Sequence, residues 1–115
     1  MVKYLLMIFE DENRYPQIPD DEVRQIMAEY QKVAKSAQSA GVLLSHHRLQ
    51  PTSAATTVRV KQGSPVFTDG PFAETKEHLG GYFLIDVKDL AEALKWASMI
   101  PSARTGSVEV RPIWE

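Results

Sequence analysis

The first strand constrains the fold most, because it is apolar at both odd and even positions. Residues 3–9 read KYLLMIF, and acidic residues follow at once from Glu10. Successive strand side chains point to opposite faces, so a strand with this pattern is covered on both. Two helices cover only one face of a sheet, so we expect a second copy of the chain to cover the other, giving a homodimer. The alternative is that the chain's own C-terminal strand and hairpin fold over that face.

The remaining elements follow in an order that predicts the topology. Apolar residues at helical spacing between Val23 and Ala37 predict a first helix, and Gly41 is its expected C-terminal stop. Asp89 and Glu92 form a capping box at the start of a second helix. Strands are predicted at 3–9, 42–49, 56–61, 65–68, 81–87 and 107–111. The order predicts an α+β fold, the ferredoxin-like split βαβ arrangement with a β-hairpin insertion, in a single domain spanning residues 1–115.

Composition excludes several classes of function. The chain has no cysteine, which removes disulfides, thiol nucleophiles and Cys-ligated metal sites. Its 15 acidic and 13 basic residues give a net charge of -2, so we expect no binding to nucleic acid. There is no targeting segment and no apolar run of membrane-spanning length, which predicts a cytoplasmic protein without a membrane partner. Phosphate-loop, nucleophile-elbow and dinucleotide motifs are also missing, and we expect no metal and no cofactor.

The most specific motif is the ten-residue stretch TDGPFAETKE at residues 68–77. It resembles the signature of the DGPF-domain proteins, a branch of the YCII-related family. Further matches at 49–51, 56–59, 80–82, 85–87 and 108–112 extend the resemblance over almost the whole chain. The resemblance implies a dimeric α+β barrel. Since related dimeric barrels bind haem, it also leaves haem open as an alternative to the expected absence of a cofactor. Because relatives are often encoded beside sigma factors, it also implies a sigma factor as a candidate protein partner.

The resemblance does not carry over a catalytic dyad. The wider YCII-related group is proposed to pair a His of the first helix with an Asp. In this chain the His position falls near Tyr30. A tyrosine there is most simply a core or interface residue, although its hydroxyl can orient a polar ligand.

The segment after the DGPF turn supplies several candidate site residues. Asp69 is a candidate acid–base group, and Glu74, Lys76 and His78 are candidate ligand-binding residues. Their density beside an apolar strand is typical of a cleft in which burial and mutual charge shift pKa values. The structural alternatives are a turn in which Asp69 accepts backbone hydrogen bonds, and a solvated loop or ion pairs between subunits.

Two candidates come from the predicted strands. His46 and His47 are adjacent, so they point to opposite faces and do not chelate one metal together. We take His47 as the second acid–base candidate, since an imidazole titrates near neutral pH; the alternative is an ordinary, partly exposed histidine. Arg59 is positioned to hold a carboxylate, either of a ligand or of Asp69.

These residues predict a small-molecule enzyme of the lyase or isomerase type that works by acid–base chemistry without a metal. Its cavity is expected between helix and sheet, near the loop from Asp69 to His78. The alternative function is a non-catalytic ligand-binding or regulatory module associated with sigma-factor regulation of transcription.

Overall fold

Both long helices lie on one face of a four-stranded antiparallel sheet in the computed structural model, which describes residues 1–115. The elements, in chain order, are β1 Val2–Glu10, α1 Asp20–Ser39, β2 Leu43–Arg48, β3 Thr56–Lys61, β4 Ser64–Asp69, β5 His78–Val87, α2 Leu90–Met99, α3 Ser102–Thr105 and β6 Ser107–Pro112. The strand order in the sheet is β2-β5-β1-β6, and β3 and β4 form a separate hairpin. This confirms the ferredoxin-like α+β fold.

The helix ends follow the local chemistry that the sequence predicts. Gly41, just past the end of α1, has φ of +74°, a backbone conformation that favours glycine. At α2, Asp89 accepts a hydrogen bond from the Glu92 N–H at 3.0 Å, and the Glu92 carboxylate accepts one from the Lys88 N–H at 3.2 Å. The reciprocal cap confirms the start of the second helix.

The core lies between the helices and the even-numbered residues of β1. Leu6 is 1% exposed and Ile85, on the neighbouring strand, is also 1% exposed. Small residues of both helices, including Ala34 and Ala93, let the helices approach the sheet closely. One apolar face of β1 is thereby buried.

The opposite face of the sheet carries no helix. Its residues are apolar and only half-buried: Leu5, Met7, Phe9, Tyr82 and Leu84. The strand β6 does not cover this face, because β6 pairs with β1 at the edge of the same sheet. The face is therefore left without a covering layer from its own chain.

The hairpin projects from the rest of the chain. Its strands make few contacts with other elements, and the radius of gyration is 16.0 Å, against about 13 Å for a compact domain of similar length. One face of the hairpin is apolar and exposed, with Val58, Val60 and Phe67 at 57%, 68% and 67%. A lone two-stranded hairpin is at best marginally stable in water, so this face lacks the packing such a hairpin normally needs.

The structure differs from the sequence prediction by more than a single residue at several places. The strand β5 begins at His78 and not at Gly81, so His78 belongs to the sheet and not to the preceding loop. Residues Glu12–Gln17, expected as a loop, form a 3-10 helix, in which Asp11 accepts a hydrogen bond from Asn13 at the N-terminus. The short helix α3 was not predicted, because four residues are too few to show a periodicity. No helix of the chain is both long and apolar enough to cross a membrane.

Two glycines provide a test of packing around the sheet. A Cβ at Gly106 would lie 2.2 Å from the Phe9 carbonyl oxygen, whereas a Cβ at Gly80 finds its nearest atom, the Ile8 carbonyl oxygen, at 4.0 Å. We expect Gly106→Ala to lower the free energy of unfolding by about 2 kcal/mol or more, because the backbone must move to admit the methyl group. The matched Gly80→Ala substitution is expected to cost less than about 1 kcal/mol. Urea denaturation of both variants measures the difference, and equal losses would contradict this account.

Candidate active-site cavity

A cavity of about 570 Å³ lies where α1, β2 and β5 meet the 3-10 helix that follows β1. Its apolar wall includes Ile8, Met27 and Phe83. Its polar and aromatic lining comprises Glu10, Glu12, Tyr15, Tyr30, Gln31, His46, His47, Arg48, Gln50, His78 and Tyr82. Part of the space arises because Gly80 and Gly81, on the same strand, have no side chains to fill it. The volume is in the range of small-molecule sites.

Glu10, the last residue of β1, is the buried acid of this cavity. It is 6% exposed, and its Oε1 accepts a hydrogen bond from the Thr105 hydroxyl at 2.6 Å. Its Oε2 accepts no hydrogen bond, and Arg14 Nη1 lies 3.7 Å from it. A buried carboxylate oxygen without a donor is costly, so this oxygen is available to a ligand that donates a proton or a hydrogen bond.

His78 lies directly opposite Glu10 in the pairing of β1 with β5. A register shift between Ile8 and Phe9 makes this possible: Ile8 pairs with Gly81 but Phe9 pairs with Leu79, so Gly80 is the extra residue of a β-bulge. The bulge reverses the alternation, and His78 joins the face that Glu10 occupies. The His78 Nδ1 atom is buried and has no hydrogen-bond partner. An imidazole nitrogen and a carboxylate oxygen that make no hydrogen bond within the chain therefore line one cavity.

Two tyrosines, Tyr15 and Tyr30, form a second polar group in the cavity. The Tyr30 hydroxyl of α1 hydrogen-bonds the hydroxyl of Ser102, which is fully buried at the start of α3. Burial raises the pKa of Tyr30 to about 12, and the bond to Ser102 opposes part of that rise. Burial also raises the pKa of Tyr15, as does the nearby charge of Glu10. Both phenols keep their protons at neutral pH and act there as hydrogen-bond donors.

Glu12 lines both this cavity and a second one. Both of its carboxylate oxygens are occupied, by the Thr52 N–H at 2.7 Å and the Thr52 hydroxyl at 2.9 Å. The second cavity, of about 400 Å³, lies beyond it under the segment that follows the DGPF turn. Its lining is polar or charged apart from Pro71: Asp11, Glu12, Asn13, Thr52, Glu74, Thr75, Lys76 and His78. Glu12 and His78 line both cavities.

The residues singled out from the sequence fall into three groups. His47, His78 and Tyr30 line the larger cavity, and Glu74, Lys76 and again His78 line the smaller one. Asp69 and Arg59 line neither of these two cavities. Two of the residues chosen from the sequence therefore lie outside both cavities.

The two histidines of β2 take opposite faces, as their adjacency predicts. His46 pairs with Phe83 and stacks on its ring, with centroids 5.3 Å apart. His47 pairs with Tyr82, a residue of the face without helices, at a ring distance of 5.7 Å. His46 thus shares the helix-covered face with Phe83, while His47 reaches the cavity from its rim.

The Asp-Gly-Pro turn is held by β3. The Gly70 N–H donates to the Ala55 carbonyl at 2.8 Å, and the Gly70 carbonyl accepts from the Thr57 hydroxyl at 2.8 Å. Arg59 donates to the Phe72 carbonyl at 3.2 Å and not to Asp69. Gly70 has φ of +93°, a conformation that explains a glycine at this position. The turn therefore positions the segment that lines the smaller cavity.

Glu10, Tyr15 and His46 are site residues that the sequence reasoning did not select. Glu10 is the first of three consecutive acids, and nothing local separates a buried acid from its exposed neighbours. Its position could have identified it, because Glu10 ends an apolar strand in which the even-numbered residues from Tyr4 onward are buried.

Tyr30 gives a prediction that depends on pH. Its folded-state pKa of about 12 lies above the ordinary value of 10.0, so the folded chain holds this proton more tightly than the unfolded chain does. The contribution to stability is complete below pH 10 and is lost as the pH rises towards 12. Ultraviolet titration of phenolate should show a late-titrating tyrosine that Tyr30→Phe removes. Ser102→Ala should raise the pKa of this tyrosine further, because the bond to Ser102 lowers it. A titration curve unchanged in both variants would contradict the assignment.

Comparison with known proteins agrees with the resemblance in residues 68–77. The family model described as YCII-related domain matches residues 2–115. An uncharacterized protein of Rhizobium meliloti (strain 1021) is 40% identical over 112 residues, which is 96% of this chain and 90% of that protein. The match extends over both βαβ units and the hairpin between them, and the chain therefore belongs to the YCII-related family.

Proposed function

We propose that the larger cavity binds a small organic molecule and transfers a proton on it, as a lyase or isomerase does, by acid–base chemistry that needs no metal. The observation that supports this proposal most is the Glu10 carboxylate. It is 6% exposed, one of its oxygens accepts no hydrogen bond, and it lies opposite a histidine whose Nδ1 also makes none. Two unpaired polar groups in one partly apolar cavity are typical of a site that a ligand completes.

The roles follow from the chemistry of each group. Glu10 Oε2 accepts a proton from a C–H or O–H of the ligand, and the carboxyl group then returns it elsewhere on the molecule. His78 is within the same lining and serves as the second acid–base group. Tyr30, protonated at neutral pH, donates a hydrogen bond to the oxygen on which charge develops.

The residues chosen from the sequence have different roles in this proposal. His47 is proposed as a ligand contact at the rim, together with Arg48, the one arginine of the lining. Glu74 and Lys76 are proposed as contacts in the smaller cavity. For Asp69 and Arg59 we propose a supporting role, since the bonds around the turn belong to the framework of the loop.

The homodimer belongs to the same proposal. Two apolar surfaces lack cover within one chain, namely the sheet face around Leu5 and Leu84 and the hairpin face around Val58 and Phe67. A second copy related by a two-fold axis covers equivalent surfaces on both chains at once. His47 and Tyr82 lie on that sheet face and also line the cavity, so the partner would sit beside the cavity rim.

The alternative is that the cavity only binds a ligand and that the protein regulates transcription through a sigma factor. The same cavity lining serves both functions, so a measurement of proton transfer distinguishes them. A protein that binds small molecules at Glu10 but never exchanges their protons would fit the alternative.

The first test measures proton transfer directly. Small enolisable ketones and lactones in deuterium oxide report exchange at carbon by NMR. We expect the protein to accelerate exchange on at least one of them, and Glu10→Gln to lower that rate on the order of 100-fold, because the amide does not accept the proton. The control is Glu22→Gln, an exposed acid in the first turn of α1. Exchange that persists undiminished in Glu10→Gln would refute the role of Glu10.

The second test concerns the dimer. We expect light scattering at micromolar protein to give twice the mass of the chain, and Leu84→Arg to give a folded monomer, because the charge lies on the uncovered sheet face. Leu94→Arg, at an exposed position of α2 on the opposite side of the sheet, is the matched control and should stay dimeric. A monomeric mass for the unaltered chain would end the dimer proposal.

A further inference from the structure

The two cavities meet at shared residues, Glu12 and His78. We infer that one ligand spans both: a planar aromatic or heteroaromatic ring in the larger cavity that carries a neutral, hydroxyl-rich substituent in the smaller one. This inference deepens the proposed function, on which it rests, by naming the class of molecule that the site accepts.

The larger cavity suits a flat ring. The parallel stack of His46 on Phe83, with 19° between ring planes, presents an aromatic surface on the helix-covered side. Tyr30 and the side chains of Ile8 and Met27 extend that surface with further aromatic and apolar atoms. Flat rings gain from stacking and edge contacts with such a lining beyond the burial of their area. The free Glu10 oxygen then accepts a hydrogen bond from a polar group of the ring.

The smaller cavity disfavours an anionic substituent. Three carboxylates, those of Asp11, Glu12 and Glu74, line it against a single lysine, Lys76. A carboxylate or phosphate placed there would meet more negative than positive charge at close range.

Hydroxyl groups suit the same lining better. The Glu74 carboxylate and the side-chain oxygen of Asn13 are acceptors, while the Lys76 ammonium and the side-chain NH₂ of Asn13 are donors. None of these side-chain groups makes a hydrogen bond within the chain. A hydroxyl both donates and accepts, so one substituent with several hydroxyls satisfies such a mixed set. Shared His78 stands at the junction, with its unpaired Nδ1 available to the atom that links ring and substituent.

The test compares three matched probes by NMR titration of the full chain. Phenol carries the ring with its hydroxyl, methyl β-D-glucopyranoside carries the sugar hydroxyls alone, and 4-hydroxyphenyl β-D-glucopyranoside, the phenyl glucoside of this test, carries both. We expect the phenyl glucoside to bind on the order of tenfold more tightly than either part. 4-Hydroxyphenyl phosphate, with an anionic substituent of smaller size, should bind more weakly than the phenyl glucoside.

A variant assigns the gain to the smaller cavity. Asn13→Tyr fills that cavity without removing a hydrogen bond made by a side chain, because only backbone atoms of Asn13 bond within the chain. It should abolish the advantage of the phenyl glucoside and leave phenol binding unchanged, whereas Asn13→Ala, which removes one polar contact without filling the cavity, should retain part of the advantage. Circular dichroism of both variants confirms that they fold.

Two outcomes contradict the inference in distinguishable ways. In the first, phenol shifts the amide signals of Glu10 and His78, but the phenyl glucoside binds no more tightly than phenol or keeps its full affinity in Asn13→Tyr. The two-part ligand is then refuted and the proposed function stands. If none of the probes shifts the signals of Glu10 and His78, both the two-part ligand and the proposed binding cavity are refuted.

Discussion

Two helices lie on one side of a four-stranded sheet, and most features of this protein depend on that arrangement. The even-numbered side chains of β1 are buried against α1 and α2, whereas the odd-numbered ones form a half-buried apolar face. The molecule is accordingly thin, with a smallest extent of 18 Å. Hydrophobic burial stabilises one face of the sheet strongly, and the other face retains apolar area for association.

The cavity forms where this packing ends. Near the C-terminal end of β1, the facing strand supplies Gly80 and Gly81 in place of larger side chains. Gly81 is also constrained by its neighbour, since a Cβ there would lie 2.7 Å from the His47 carbonyl oxygen. Close strand packing and the missing side chains thus leave space beside Glu10 within an otherwise filled layer. An acid in such a place is partly removed from water and has few protein donors, which is the environment in which carboxylates do chemistry.

The sequence predicts the fold well because its signals are local and periodic. The spacing of Val23 to Ala37, the cap at Asp89 and the alternation in residues 56–61 each identify an element that the structure contains. The site is harder to predict, because two bulges change which face a side chain takes. One bulge at Gly80 turns His78 towards Glu10, and another at Leu44 fixes the faces of His46 and His47. Strict alternation does not reveal an extra residue in a strand, and the burial of Glu10 depends on Thr105 and Gly106, distant in sequence.

The attachment of the DGPF turn to the hairpin links association to recognition. Gly70 and Phe72 are bound to β3, and the residues directly after them line the smaller cavity. Any macromolecule that docks on the exposed apolar face of β3 and β4 therefore contacts the same hairpin that holds one wall of that cavity. If docking there changes the affinity of a small molecule at this wall, thermodynamic reciprocity requires that the small molecule change docking by the same factor. Such coupling would need no residue common to the docking surface and the cavity, because the hydrogen bonds of Gly70 and Phe72 join the two.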